Sequence, residues 1–142
     1  MKIVIHQPNY LPWLGFFDKI NLADCFVILD DAKMSKSNKY LYQRKIKCPT
    51  GALTLSVPLK SHSTEIRCTE MADSRWKIKH FKTIKANYSK SEFFKCFEKE
   101  LAEIYKNETQ SFSEFNTTLI KWIMEKCFNI TSIIMQMLLS QL

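Results

Sequence analysis

An α/β fold is predicted for this 142-residue chain: an N-terminal mixed, partly parallel sheet entered through a strand-turn-helix unit, followed by a largely helical second half. Three observations predict it. The β-branched run Ile3-Val4-Ile5 stops at a Pro8-Asn9 turn signal and gives way to helical apolar spacing. Cys25-Phe26-Val27-Ile28-Leu29 is apolar at every position, the pattern of a strand covered on both faces. Beyond residue 74, apolar residues recur at helical spacing in three successive stretches.

Lys2 to Ile5 is expected to be a short buried strand. Leu11 to Leu22 follows as a helix, with Leu11, Leu14, Phe17 and Ile20 at helical spacing and Pro12 in a first turn, where its missing N–H costs nothing. Asp24 to Asp31 is the second strand. Lys39 to Cys48 and Leu53 to Leu59 flank Pro49-Thr50-Gly51-Ala52, a hairpin signal in which Gly51 supplies the turn conformation. Ile66 to Met71 is expected to add a strand. Ser74 to Tyr88, Ser91 to Lys106 and Ser111 to Phe128 are amphipathic helices, each opening on Ser, a favoured N-cap. Their stripes, Phe93, Phe94, Phe97, Leu101 and Ile104 in the second and Phe115, Leu119, Ile120 and Ile123 in the third, are expected to form core. Ile130 to Leu142 reads as a final strand, or a strand running into a helix, and it stops on apolar residues. Such an end needs something to pack against, so a partner chain or a missing C-terminal half is expected there.

Length and composition fit one domain spanning residues 1–142, without repeats or a linker. No apolar run approaches the roughly 20 residues that span a bilayer, and His6 interrupts the first strand too early for a signal peptide, so a cytoplasmic location is expected. The five cysteines (Cys25, Cys48, Cys68, Cys96, Cys127) form no Cys-x-x-Cys pair and are expected as reduced, mostly buried thiols. Net charge is +7, and the excess is local: Ala32 to Thr64 holds Lys33, Lys36, Lys39, Arg44, Lys45, Lys47 and Lys60 and no acid, while the remaining 14 basic and 14 acidic residues cancel. That segment is either a solvated loop or the seat of an anionic small molecule, such as a nucleotide- or lipid-diphosphate-linked sugar. Nucleic acid is not expected, because the excess lies in one loop region rather than along a helix face.

Gly15 and Gly51 are the only glycines, so neither a Gly-x-Gly-x-x-Gly turn nor a Gly-x4-Gly-Lys-Ser/Thr loop can be built. His6, His62 and His80 lie far apart, and no metal site or cofactor is predicted from them. The informative stretch is His6-Gln7-Pro8-Asn9-Tyr10 with Trp13. It joins a strand to a helix, where free N–H groups at the helix start can hold an anion. His6 would stand at the strand's carboxyl end, the ligand-binding edge of an open α/β sheet, where an imidazole with a pKa of about 6.5 can take a proton from an attacking amine. Alternatively, His6 and Asn9 satisfy the turn backbone. Asp30 and Asp31 end the second strand; one of them faces the site, because adjacent strand residues point oppositely, and it would orient His6, hold an ammonium group or bind a divalent ion. The competing reading is that Asp31 caps the next segment. Lys33, Lys36, Arg44 and Lys45 would meet phosphate. Trp76 and His80 share a helix face, where Trp76 either stacks on a sugar ring or sits buried under His80. Lys33-Met34-Ser35-Lys36-Ser37 is similar to the ATP-phosphate loop of class I aminoacyl-tRNA synthetases, but the His-x-Gly-His helix start that accompanies it there is absent, with Gly15 alone matching.

His6 through Ile20, then Ala23 through Asp31, closely resemble the opening of the WbqC-like family. Ile46-Lys47, Gly51, Leu55-Ser56-Val57-Pro58 and Trp76 with His80 extend the resemblance along the chain. It departs from the family at Tyr42-Gln43-Arg44, where an Asn-Arg-Asn type stretch is usual, and in lacking the family's C-terminal half. The resemblance implies a part in bacterial O-antigen and related surface-polysaccharide biosynthesis, with transfer of an aminoacyl group such as glycine to an amino sugar. Two readings stand at this point: an acyl- or aminoacyl-transferase with His6 as base, Asp30 or Asp31 as its partner and Gln7, Asn9, Tyr10 and Trp13 positioning substrate; or a non-catalytic nucleotide- or sugar-binding component of the polysaccharide assembly machinery.

Overall fold

A computed structural model describes residues 1–62 and 64–130 and the backbone of Ile133–Gln136. Strand β1 (Ile3–His6) leads through a turn to helix α1 (Leu14–Asn21) and strand β2 (Cys25–Ile28). The hairpin β3 (Gln43–Cys48) and β4 (Gly51–Ser56) follows, then helices α2 (Arg75–Tyr88), α3 (Phe94–Lys106) and α4 (Phe112–Cys127), and last strand β5 (Ile133–Gln136). The expected mixed sheet divides into two: a parallel sheet in the order β1-β2-β5 and the separate antiparallel β3-β4 pair. β1 and β2 run in register from Ile3 opposite Cys25 to His6 opposite Ile28, and β5 lies parallel on the far side of β2. The apolar run of β2 thus belongs to the central strand of the three, which has a neighbour on each edge.

Several boundaries differ from expectation for local reasons. α1 starts at Leu14 rather than Leu11, because Leu11 takes a positive φ of 43° in the turn and Trp13 is extended at the N-cap. The hairpin turns over Pro49-Thr50, with Gly51 at φ 125° supplying a conformation that a side chain rarely adopts. Lys39–Leu41 coils into a 3-10 turn ahead of β3. Ile66–Cys68 is also a 3-10 turn rather than part of a strand: Cys68 N–H donates to Glu65 O, Thr69 N–H donates to Ile66 O, and the Thr69 hydroxyl donates back to Glu65 O. Of the three expected serine caps, Ser111 alone accepts a side-chain cap bond, from Glu114 N–H at 3.3 Å; Phe93, not Ser91, takes the N-cap position of α3. The expected final element is described over Ile133–Gln136, and residues 137–142 lie outside the described residues.

Two apolar clusters hold these elements. Phe16, Phe17 and Ile20 of α1 pack with Phe26 and Ile28 of β2 and with Ile120, Met124 and Ile130. The larger cluster gathers Leu55 of the hairpin, Trp76 and Ile84 of α2, Phe94, Leu101 and Tyr105 of α3, and Phe112, Phe115 and Leu119 of α4. α4 therefore serves both, its first half facing the helices and its second half the parallel sheet. Each fully buried side chain of this size contributes roughly 1.5–3 kcal/mol. The cysteines are free thiols, but Cys25 alone is buried: Cys48 is half-buried and Cys68, Cys96 and Cys127 are exposed, because the last three stand on outer faces of turns and helices. Among the described residues, no helix is long and apolar enough to cross a membrane.

Candidate functional site

The turn after β1 is held from three directions. Asn9 N–H donates to Gln7 O at 2.9 Å, a tight three-residue turn, and Tyr10 N–H donates to Leu41 O at 2.8 Å, which ties the turn to the 3-10 coil before β3. From α4, the Asn116 amide donates to Pro8 O at 2.8 Å. Asn9 is buried, and Leu29 N–H donates to His6 O at 3.0 Å, extending the parallel pairing one step past the strand.

These ties open a pocket of about 530 Å³ between the turn and the hairpin. His6, Gln7, Asn9 and Trp13 line one side, and Asn38, Tyr40 and Arg44 line the other. The ring of His6 meets the edges of Phe16 at 4.9 Å and Trp13 at 5.9 Å. Its Nδ1–H donates to the Gln7 carbonyl at 3.0 Å, so in the neutral ring Nε2 keeps the lone pair. Asn38 donates to Gln7 Oε1 at 3.3 Å, which orients that amide.

Trp13 is the hinge of the arrangement. A Cβ on Gly15 would come within 2.7 Å of its Nε1, so the absence of a side chain at Gly15 lets the indole lie over the start of α1. Lys19 Nζ and the Arg44 guanidinium each stand over the indole ring, at 5.8 and 5.9 Å. Burial lowers the pKa of Arg44, and its Nε and Nη2 are buried without a hydrogen-bond partner among the described residues. An unpaired buried donor costs about 1–3 kcal/mol, so a group accepting from these atoms would offset that cost. A second groove of about 700 Å³ shares Trp13, Tyr40 and Arg44 with the pocket and adds Lys39, Gln43 and Lys45.

The other candidate residues are placed elsewhere. Tyr10, Trp76 and His80 meet one another, but in the core: the Tyr10 hydroxyl lies 2.8 Å from His80 Nδ1 and 2.6 Å from the Tyr105 hydroxyl, and Trp76 packs edge-on to Tyr10, His80 and Phe115. Burial, then the charge of Lys79, pushes the His80 pKa down to about 4, opposed by a hydrogen bond with the Ser56 backbone. Burial also holds the Tyr10 hydroxyl well above its ordinary range. Trp76 is thus the buried tryptophan beside His80, not a stacking platform. Asp30 is fully buried and accepts from the Ser113 hydroxyl at 2.6 Å, while its own carbonyl accepts from Arg67 N–H at 2.7 Å. Asp31 is half-buried, and its charge acts on Arg67, whose guanidinium pairs with Glu65 at 2.7 Å. Neither acid lines the His6 pocket. Lys33 is exposed and bridges to Glu65 in the backbone, and Lys36 lines a different cavity with Ser35, Lys60 and His62. Among the described residues, no three His, Cys, Asp or Glu side chains cluster as metal ligands would. Sequence reasoning missed Asn38 and Tyr40; the signal available was their place inside the acid-free basic segment.

The WbqC-like protein family matches residues 7–140. The chain is similar to a curated relative named Uncharacterized protein Rv1507c, from Mycobacterium tuberculosis (strain ATCC 25618 / H37Rv), at 33% identity over 110 residues, covering 75% of this chain and 47% of that protein. It spans about half the length of that relative. No solved structure matches the chain.

Proposed function

This chain belongs to the WbqC-like protein family, and from that premise we propose that it works in surface-polysaccharide biosynthesis in the cytoplasm, transferring an acyl or aminoacyl group such as glycyl to the amine of a diphosphate-linked amino sugar. The observation that carries this reading is the pocket that gathers His6 and Arg44 around Trp13. Arg44, with Lys45 beside it, meets the diphosphate, and Gln7, Asn9 and Asn38 supply neutral hydrogen-bonding groups for sugar hydroxyls. The amine nitrogen attacks the donor's carbonyl carbon and a C–N bond forms. Nε2 of His6 takes the amine proton, the bond from the carbonyl to the donor's leaving group breaks, and the proton passes to that group. The Gln7 carbonyl, rather than Asp30 or Asp31, holds the imidazole in the required tautomer.

The residues lining the pocket include no carboxylate to stabilise a protonated His6, which favours a second reading, a binding component of the assembly machinery that holds the sugar without reacting it. Thermal-shift measurements with nucleotide sugars, lipid-linked sugars, ATP, acyl carriers and divalent ions test the site itself. Stabilisation by a diphosphate-linked amino sugar, lost in Arg44→Gln, is expected; silence across the panel contradicts both readings. Mass spectrometry of the acceptor after incubation with acyl donors then separates transfer from binding alone.

A further inference from the structure

Resting on the diphosphate site proposed above, we infer that the diphosphate is carried by a polyprenyl chain rather than by a nucleoside. The His6 pocket and the larger groove share Trp13, Tyr40 and Arg44, so Arg44 stands where the two meet. A ligand with its diphosphate on Arg44 sends the sugar towards His6 and its carrier along the groove.

The lining of the groove selects the carrier. Leu14 is 74% exposed, Tyr40 69% and Trp13 42%, and all three border this groove together with Leu11 and Pro12. Large apolar side chains held in water around one concavity, beside a cationic edge, mark a binding surface for a ligand that is apolar at one end and anionic at the other. Lys39, Arg44 and Lys45 supply the cationic edge, and the groove lining contains no acid. A nucleoside asks for different chemistry, a carboxylate for the ribose hydroxyls and paired donors and acceptors for the base edge. The neutral polar groups that the groove offers are the Gln43 amide, which already donates to the Ser56 hydroxyl at 3.2 Å, the Thr54 and Tyr40 hydroxyls and the Trp13 indole N–H. An isoprenoid tail needs none of these, and each methylene it buries raises affinity about fourfold.

Isothermal titration calorimetry of the whole chain with farnesyl diphosphate, uridine diphosphate and inorganic diphosphate tests the assignment. Farnesyl diphosphate is expected to bind at least about tenfold more tightly than either of the others. Leu14→Gln, which removes apolar surface at a solvent-exposed position without adding charge, is expected to remove most of that advantage without changing the affinity for inorganic diphosphate. Uridine diphosphate binding as tightly as farnesyl diphosphate overturns the lipid carrier and leaves the diphosphate site standing. Farnesyl diphosphate affinity unchanged in Leu14→Gln puts the tail elsewhere and also overturns the assignment. Failure of all three diphosphates to bind overturns the carrier and the site together.

Discussion

Gly15 and Trp13 show how much of the site depends on single residues. An alanine at position 15 would set a methyl 2.7 Å from Trp13 Nε1, so the indole must swing off the start of α1. Glycine within a helix is otherwise worth replacing, by roughly 0.5–1 kcal/mol. Gly15→Ala is therefore expected to leave the melting temperature level or slightly raised while weakening ligand binding roughly tenfold, about 1.4 kcal/mol, in a calorimetric titration. His80 acts in the opposite sense, on stability and not on the pocket. Its Nδ1 is hydrogen-bonded to the Tyr10 hydroxyl, which is hydrogen-bonded in turn to Tyr105, and burial is what disfavours a positive charge on the ring. With a folded pKa of about 4 against an unfolded value near 6.5, the unfolded chain binds the extra proton between those values. Stability is expected to be full above about pH 6.5, to fall as pH drops towards 4 by up to about 3 kcal/mol, and to level off below, with the slope absent in His80→Gln. Denaturant titrations across that window measure it.

Among the elements, the amphipathic helices and the strand-turn-helix opening were legible because their apolar periods are local. The α4 stripe enters the core as read, whereas in α3 Phe94, Leu101 and Ile104 do so while Phe93 stands 64% exposed at the N-cap and Phe97 packs on Trp122. The β-branched first strand pairs with β2, but its Ile3 and Ile5 are half exposed rather than buried. What periodicity could not supply was long-range placement. Tyr10, Trp76 and His80 look like pocket residues in a list of polar and aromatic side chains, but their contacts run 70 and 95 residues along the chain and bury them. Asp30 lies two residues past the end of β2, which is shorter than the expected Asp24 to Asp31, and its partner Ser113 lies 83 residues away on α4, which no local pattern indicates. Asn38 and Tyr40 reach the pocket because Tyr10 N–H pairs with Leu41 O, again a contact between distant segments. The connection from α3 to α4 rests on a buried cation of the same non-local kind. Lys77 of α2 is 2% exposed, lies 5.0 Å from the Phe115 ring, and donates to Asn107 O at 2.6 Å and Thr109 O at 2.7 Å. Lys77→Met keeps the stem and removes both bonds, so a loss of about 2–4 kcal/mol is expected in chemical denaturation, together with faster amide exchange around residues 107–110.

At the scale of the whole molecule, α4 joins the parallel sheet to the helical cluster and also fixes the turn after β1, through Asn116 to Pro8, and the segment after β2, through Ser113 to Asp30. The pocket lies at the seam between the parallel sheet and the hairpin, so its two sides come from parts of the chain that only folding brings together. This explains why a family resemblance concentrated in the first 31 residues reaches one side of the pocket, why Arg44 was reached through the acid-free basic segment instead, and why Asn38 and Tyr40 were left to the fold. In the proposed transfer His6, held by the Gln7 carbonyl, is the base. The most direct test of this role is single-turnover transfer from an acyl or aminoacyl donor to a diphosphate-linked amino sugar, comparing the unaltered chain with His6→Ala at saturating acceptor. Acceptor affinity within about threefold of the unaltered chain and a transfer rate reduced by about 10²–10⁴ is the predicted result. An unchanged transfer rate in that variant removes His6 from the reaction.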